Sequence, residues 1–164
     1  MTVNIGSRSD DWRAQACSNF PAFPFVLDGM SLTSVEGFVQ GIKFPVGHPT
    51  RFLAFASFGG SAKKLNKDAE GKLIWWNGKT VTFGSSTHRK LIEKAIRAKF
   101  QQNPSAMIAL LCTAGEEITH DLGKPENPNT SLPAKVFCDI LIRIREEELV
   151  KIKFGWSGPL FDSQ

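Results

Sequence analysis

The chain has 164 residues, of which 41% are hydrophobic and 22% charged, and its formal net charge is +4. These are ordinary values for a soluble chain that forms one domain with a real core. No apolar run approaches the length of a membrane span, and the polar N-terminus lacks the apolar segment of a secretory signal. We therefore expect a cytoplasmic protein with no membrane partner, whose mild positive charge favours an anionic ligand.

The cysteines do not indicate a disulfide framework or a zinc site. Cys17, Cys112 and Cys138 are odd in number and far apart, and none has C-x-x-C spacing. We expect reduced thiols, with Cys112 and Cys138 as small core residues because both lie in apolar runs. Three scattered histidines do not predict a metal site either.

The first third of the chain predicts an arm, a hairpin and a helix. Residues 1–16 are polar and are predicted to form a flexible arm, followed by one domain over residues 17–164. Asp28-Gly29 lies between two short apolar runs, which is typical of a two-residue hairpin. Thr33 and Glu36 have the T-x-x-E spacing of a capping box, which predicts a helix start. An apolar face follows at helical spacing, in Val35, Phe38, Val39 and Ile42.

The rest of the chain alternates helix and turn signals. Residues 51–58 fit strand or helix, residues 59–71 read as a basic loop, and Asn77-Gly78 predicts a second hairpin. Further elements are expected in this order: a helix from Ser85–Thr87 to about Gln102, a helix after Asn103-Pro104, a long loop over residues 115–133, a last helix from Ser131 and Pro133, and an edge strand over residues 151–156. The sum is an α+β fold, helix-rich, with small antiparallel strands.

A line of polar residues lies beside the apolar face of the first predicted helix. Glu36, Gln40 and Lys43 are spaced i, i+4 and i+7, so a carboxylate, an amide and an ammonium share one stripe. The floor of a polar pocket needs such an arrangement. Two plainer interpretations stay open, since Glu36 can simply close the capping box and Lys43 can be a solvated surface lysine.

The segments around this stripe resemble the NADAR family, also called YbiA-like. The resemblance is carried first by Ser18-Asn19-Phe20, Phe25-x-Leu27-Asp28-Gly29, Ser34-Val35-Glu36, Gln40 and Lys43-Phe44. It continues in residues 92–103 (IEKAIRAKFQQN), in Leu110-Leu111-Cys112-Thr113 and in Ile144-Arg145-Glu146. It covers roughly residues 18–148 and implies a YbiA-like fold.

Members of this family are associated with ADP-ribose and NAD metabolism, and known branches remove ADP-ribose from guanine bases or cleave early riboflavin intermediates. The resemblance implies an N-glycosidase that needs no metal or organic cofactor and acts on an ADP-ribosyl or phosphoribosyl N-glycoside, with ADP-ribosylated DNA or RNA as a partner. It implies that Glu36 stabilises the charge that develops on the ribose, and that Lys43 engages the ribose or a phosphate, by contact or as a Schiff base. Asn19 and Gln40 are expected to contact the ligand.

Two pairs of adjacent residues are further candidates. Trp75 and Trp76 alternate across a strand, so one is expected in the core, and we assign to Trp76 the stacking of a flat base. His120 and Asp121, in the long loop, are expected to help the leaving base as an acid and a carboxylate. The plainer interpretations are a cross-strand aromatic pair and a turn.

The basic loop adds Lys63 as a candidate for phosphate binding, and a plain flexible loop is the alternative. His48 and His88 carry weaker signals. The chain also departs from the NADAR pattern. Gly37 stands where many members have an aromatic or polar residue, which predicts extra space or a looser helix. His120 stands near the position of a family glutamate, and the Trp-Gly that follows in many members is missing.

Four functions therefore remain open. Two are enzymatic: removal of ADP-ribose from guanine in nucleic acid, which we favour, and cleavage of a phosphorylated riboflavin intermediate. The third is a non-catalytic sensor of ADP-ribose or NAD. The fourth is a plain nucleic-acid-binding module, which a net charge of +4 supports only modestly.

Overall fold

The computed structural model describes residues 1–155, which form seven α-helices, one 3-10 helix and three two-stranded sheets. The expected α+β architecture is confirmed. The helices are α1 (Trp12–Cys17), α2 (Val35–Gly41), α3 (Pro49–Phe55), α4 (Gly59–Lys64), the 3-10 helix (Leu65–Asp68), α5 (Ser86–Gln102), α6 (Pro104–Leu111) and α7 (Ala134–Gly155). The strands are β1 (Thr2–Asn4), β2 (Phe25–Leu27), β3 (Met30–Leu32), β4 (Leu73–Trp76), β5 (Lys79–Thr82) and β6 (Glu117–Thr119). No helix within residues 1–155 has the length and apolar character needed to cross a membrane.

Both predicted hairpins form, and the cause is the chemistry of their turns. Asp28 and Gly29 join β2 to β3 with φ values of 47° and 80°, and Asn77 and Gly78 join β4 to β5 with 49° and 73°. Two successive residues with positive φ match the twist of antiparallel strands, and Asp, Asn and Gly tolerate that backbone best. The pairing fixes which side chains share a face, since Trp76 lies opposite Lys79 and Ile74 lies opposite Val81.

The N-terminal residues are not a flexible arm. β1 pairs in parallel with β6, in the register Val3 to Ile118, and Val3 and Ile5 are buried. α1 follows, with the Asp11 side chain accepting from the backbone N–H of Arg13. The polar composition concealed the arm's two buried apolar residues, and its partner strand lies in a segment that was expected to be loop.

Three other segments differ from the sequence prediction. The expected basic loop over residues 59–71 contains α4 and the 3-10 helix, and the ambiguous run over residues 51–58 is mostly α3. Residues 151–155 continue α7 rather than forming a strand, and Trp156 lies outside the described residues. Cys112 is exposed, not a core residue, whereas Cys17 and Cys138 are buried.

The core is built around α5, which packs against α2, α6, β2 and β5. Ile92, Ile96 and Phe100, four residues apart, lie on one buried face of α5. Phe38 of α2 is fully buried as well. This packing fixes α2, the helix that carries the polar stripe, between α5 and α3.

Close packing of α2 on α3 explains Gly37, and it excludes the extra space expected there. A Cβ on Gly37 would lie 2.3 Å from the carbonyl oxygen of Ala54 and 2.6 Å from that of Ser57. A Cβ on Gly41 would lie 2.4 Å from the ring of Phe55. The two glycines let α3 approach the backbone of α2, so this face of α2 contacts protein and the polar stripe occupies another.

Candidate active site

The predicted polar stripe is a hydrogen-bonded chain in the structure. The amide nitrogen Nε2 of Gln40 donates to Oε1 of Glu36 at 2.7 Å, and Nζ of Lys43 donates to Oε1 of Gln40 at 2.9 Å. The three residues are 9%, 5% and 8% exposed. Since a carboxylate only accepts and an ammonium only donates, the Gln40 amide has one orientation that serves both neighbours. The chain therefore holds a carboxylate and an amine at fixed separation, almost out of water.

Glu36 is free of any capping role. Ser34, not Thr33, is the N-cap of α2, and its side chain accepts from the backbone N–H of Gly37 at 2.9 Å. The capping box predicted from T-x-x-E is therefore wrong, because the helix begins one residue later. The backbone N–H of Glu36 donates to the carbonyl of Asn19 at 2.9 Å, which leaves the carboxylate to Gln40 and to a ligand.

Burial changes the pKa values of Glu36 and Lys43, the two ends of the hydrogen-bonded chain. It raises the pKa of Glu36, and the hydrogen bond from Gln40 and the charges of Lys63 and Lys43 oppose that rise. Burial lowers the pKa of Lys43 to about 8; the carboxylate of Glu36 opposes this shift and Lys63 adds to it. A carboxyl group and an amine whose pKa values move towards neutrality are suited to proton transfer and to charge stabilisation.

α4 and the 3-10 helix border the stripe on one side. Nζ of Lys43 donates a second hydrogen bond, to Oδ1 of Asn66 at 2.7 Å. Nζ of Lys63 lies 5.6 Å from the ring centroid of Phe20, and the carbonyl of Phe20 accepts from the N–H of Gly59 at 2.8 Å. Lys63, which the sequence suggested as a phosphate contact, is thus placed beside Glu36. Asn66 was missed because its helix was expected to be a loop.

Asn19 contributes an unsatisfied acceptor next to Glu36. Its side-chain oxygen Oδ1 is buried and has no hydrogen-bond partner among residues 1–155. Lys99 of α5 holds this segment, because its Nζ donates to the carbonyls of Ala16 at 2.7 Å and Ser18 at 2.6 Å. A buried acceptor without a partner costs about 1–3 kcal/mol, so a ligand N–H or O–H that reached it would bind favourably.

His88 is a further buried polar residue near the stripe. Its Nδ1 accepts from the N–H of Gly84 at 2.9 Å, which puts the proton on Nε2. In the part of the chain that the structure describes, Nε2 has no hydrogen-bond partner. Burial, helped by the charge of Lys43, lowers the pKa of His88 to about 4, so the ring is neutral. The Phe83 ring lies 5.0 Å from His88 and 5.6 Å from Nζ of Lys43. The only sequence signal for His88 was its place in the first turn of a helix.

His120 and Asp121 make no hydrogen bond to the polar stripe within residues 1–155, and their role as acid and carboxylate stays a prediction. Nδ1 of His120 lies 2.7 Å from the carbonyl of Ile5. The backbone N–H of Asp121 donates to the side chain of Asn4, and its carboxylate accepts from the N–H of Gly123. The plainer interpretation, a turn, applies, because these residues follow β6 and fasten it to β1.

The tryptophan pair is also positioned differently from the prediction. Trp76 is 8% exposed, packs edge-to-face on Phe38 and Phe55, and donates from Nε1 to Asp28 at 2.7 Å. It is a core residue that also contributes to the lining of a groove between β5 and α5, so its stacking on a base stays a prediction. Trp75 lies half-buried on the opposite face of the hairpin, where stacking on a base stays a prediction.

The comparison with known proteins concerns the family and the fold of the chain. The family described as Bacteriophage protein GP30.3 matches residues 11–146, most of the chain. The chain belongs to this family. A relative from Enterobacteria phage T4, described as an uncharacterized 17.1 kDa protein in the Gp30-rIII intergenic region, is 26% identical over 140 residues, which cover 82% of this chain and 91% of that protein.

A solved structure resembles the GP30.3-family chain over nearly its whole length. The NMR structure of the E. coli protein YbiA matches with a TM-score of 0.67 and 24% identity, covering 94% of this chain and 88% of YbiA. The expected YbiA-like fold is therefore confirmed. Within residues 1–155, no three His, Cys, Asp or Glu side chains converge as a metal site would require.

Proposed function

We propose that this protein is an N-glycosidase that hydrolyses the bond between a ribose and a guanine nitrogen, removing ADP-ribose from nucleic acid. The observation that carries the proposal is the buried chain from Glu36 through Gln40 to Lys43. Breaking a ribosyl C–N bond places positive charge on the sugar and negative charge on the leaving nitrogen. A carboxylate and an ammonium at a fixed separation match these two charges.

Glu36 faces the sugar in this proposal. Its carboxylate stabilises the ribosyl cation and takes a proton from the attacking water, whose oxygen bonds to the anomeric carbon. Burial strengthens this interaction, because little water screens the carboxylate. Asn19, whose backbone carbonyl accepts from the N–H of Glu36, uses its unsatisfied Oδ1 to accept from a sugar hydroxyl.

Lys43 faces the leaving base or a phosphate. An ammonium has three N–H donors, and two of them go to Gln40 and Asn66. The third is available to the substrate, and a pKa of about 8 suits a group that donates a proton near neutral pH. This takes over the acid role first assigned to His120 and Asp121. Lys63 adds a second cation for the phosphates.

The same pKa also makes the neutral amine of Lys43 accessible as a nucleophile. In that role the amine displaces the base nitrogen from the anomeric carbon, and the ribose ring opens between this carbon and the ring oxygen to give a Schiff base. Water then hydrolyses the Schiff base, which releases ADP-ribose and the free amine. Reduction with cyanoborohydride during turnover separates the two roles. A reduced ADP-ribose adduct on Lys43 would assign it as the nucleophile. Full turnover without an adduct would leave it as the proton donor.

The test of the activity is hydrolysis followed by mass spectrometry. The substrates are an oligonucleotide that carries ADP-ribosyl-guanine and, in parallel, the ribosylaminopyrimidine intermediates of riboflavin synthesis. We expect free ADP-ribose from the oligonucleotide. Release of ribose 5-phosphate from the pyrimidines alone would assign the protein to small metabolites, and binding without turnover on either would make it a sensor.

A further inference from the structure

The basic residues are concentrated in one part of the chain. Residues 63–94 contain eight basic residues (Lys and Arg) and three acidic ones (Asp and Glu). The rest of the chain contains twelve basic and thirteen acidic residues. A fifth of the sequence therefore has a net charge of +5, and the remainder is close to neutral. The modest overall charge conceals this concentration.

The structure places several elements that carry these residues against Lys43. The 3-10 helix contributes Asn66, which accepts a hydrogen bond from Lys43. Phe83, at the end of β5, places its ring near the Lys43 ammonium. The first turn of α5 contributes His88, whose pKa the charge of Lys43 lowers. α4 reaches the same site through the charge of Lys63. The elements that border the candidate active site are thus the elements that carry the excess of cations.

Most of these cations are available to a ligand. Seven of the eight are exposed and form no ion pair with any residue from 1 to 155: Lys63, Lys64, Lys67, Lys72, Lys79, Arg89 and Lys90. The eighth, Lys94, pairs with Asp28. One of the three acids, Glu93, is already bound by Arg97 and Arg143. We call the surface of these eight side chains the basic face.

The basic face contains a groove. It has a volume of about 180 Å³ and lies between β5 and α5, with Val81 and Leu91 among its apolar residues and Lys79 and Lys94 among its charged ones. Lys79, Val81 and Phe83 alternate along one face of the hairpin, so the same row of side chains continues from the groove to the ring beside Lys43.

We propose that the basic face binds the phosphate backbone of the nucleic-acid strand that carries the modified base, with the groove taking a neighbouring nucleotide. This inference rests on the proposed function and specifies its substrate as a strand. Seven unpaired cations spread over several elements exceed what the two phosphates of a single ADP-ribose need, whereas a strand presents a negative charge at every nucleotide. Glu36 and Lys43 are almost buried, so the modified nucleotide must leave the base stack to reach them.

The test compares two triple variants that lose the same charge. The first, Lys72→Gln with Lys79→Gln and Lys90→Gln, removes cations from the basic face and spares the catalytic stripe. The control, Lys135→Gln with Lys151→Gln and Lys153→Gln, removes three exposed cations from α7. Fluorescence anisotropy of a labelled, unmodified single-stranded DNA is measured across a series of salt concentrations, and thermal unfolding checks that both variants fold.

We expect the wild-type protein to bind with a steep salt dependence. The basic-face variant should lose affinity, and its slope of log K against log salt should shrink by about 2, since each lost phosphate contact on a single strand contributes about 0.7. The control variant should keep the wild-type slope. Equal losses in the two variants, or no salt-dependent binding by the wild type, would overturn the proposal.

Activity separates this inference from the proposed function. On the modified oligonucleotide, the basic-face variant should show a raised KM with kcat unchanged, and on free ADP-ribosyl-guanosine it should match the wild type. Strand binding that depends on the basic face, with no hydrolysis of either substrate, would refute the proposed function alone. Hydrolysis of both substrates with equal KM in wild type and variant would refute the inference alone.

Discussion

The burial of Lys43 has a cost in stability that pH can expose. Its pKa falls from 10.5 to about 8 on folding, chiefly because burial removes the ammonium from water. At about 1.4 kcal/mol for each tenfold change, this corresponds to about 3 kcal/mol. Between these two pH values the unfolded chain binds a proton that the folded chain does not, so Lys43 makes the folded state more stable as pH rises.

Lys43→Met removes this titration while keeping an unbranched side chain. The free energy of unfolding of the wild type minus that of the variant should increase by about 3 kcal/mol as pH rises from 7 to 10.5. Titrations common to both proteins, such as those of the buried Lys99 and Cys17, cancel in the difference. The variant also leaves the side-chain oxygen of Gln40 without its donor, which changes stability at every pH. The informative quantity is therefore the change with pH of the stability difference between the two proteins, not the sign of that difference at pH 7.

The assay is urea unfolding of both proteins at several pH values between 7 and 10.5, with activity measured in parallel. The variant should be inactive throughout. Stability curves that run parallel over this range would show that Lys43 titrates in the folded protein as it does in the unfolded chain. Lys43 would then not be a buried, reactive amine.

Three further substitutions test the surroundings of the site. Gly37→Ala should destabilise the protein by about 1–3 kcal/mol in chemical unfolding, because its Cβ would meet the Ala54 carbonyl. The control Gly60→Ala, whose Cβ would meet nothing within 4 Å, should cost little. Equal effects of the two substitutions would contradict the close approach of α3 to α2. Asn66→Ala should lower kcat with little change in Tm, since Asn66 is exposed and holds the catalytic ammonium; unchanged kcat would remove its role. Trp76→Phe should lower Tm and leave the KM for free ADP-ribosyl-guanosine, which has no neighbouring nucleotide, unchanged. A raised KM on that substrate would restore Trp76 as a residue that stacks on the leaving base.

The features that the sequence predicted well depend on local chemistry. Asp28-Gly29 and Asn77-Gly78 tolerate the two successive positive φ values that these two-residue turns require, and both hairpins form. The spacing of Glu36, Gln40 and Lys43 also depends on one helix and its following turn, so their alignment followed from the helical period.

The features that it missed depend on contacts between distant segments. β1 forms only because residues 117–119 lie beside it, more than a hundred residues later. Asn66 and His88 approach Lys43 from two separate elements, and neither has a local pattern that names its partner. The same limit explains His120 and Asp121, whose adjacency suggested a catalytic pair although β1 determines where they lie.

The central claim is that the carboxylate of Glu36 acts on the ribosyl bond. The most direct measurement is single-turnover release of ADP-ribose from an ADP-ribosyl-guanine oligonucleotide by wild type, Glu36→Gln and the control Glu117→Gln, which changes an exposed glutamate of β6. The account predicts release by the wild type and the control, and none by Glu36→Gln, which should fold and still bind the oligonucleotide. Release by Glu36→Gln at the wild-type rate would contradict it.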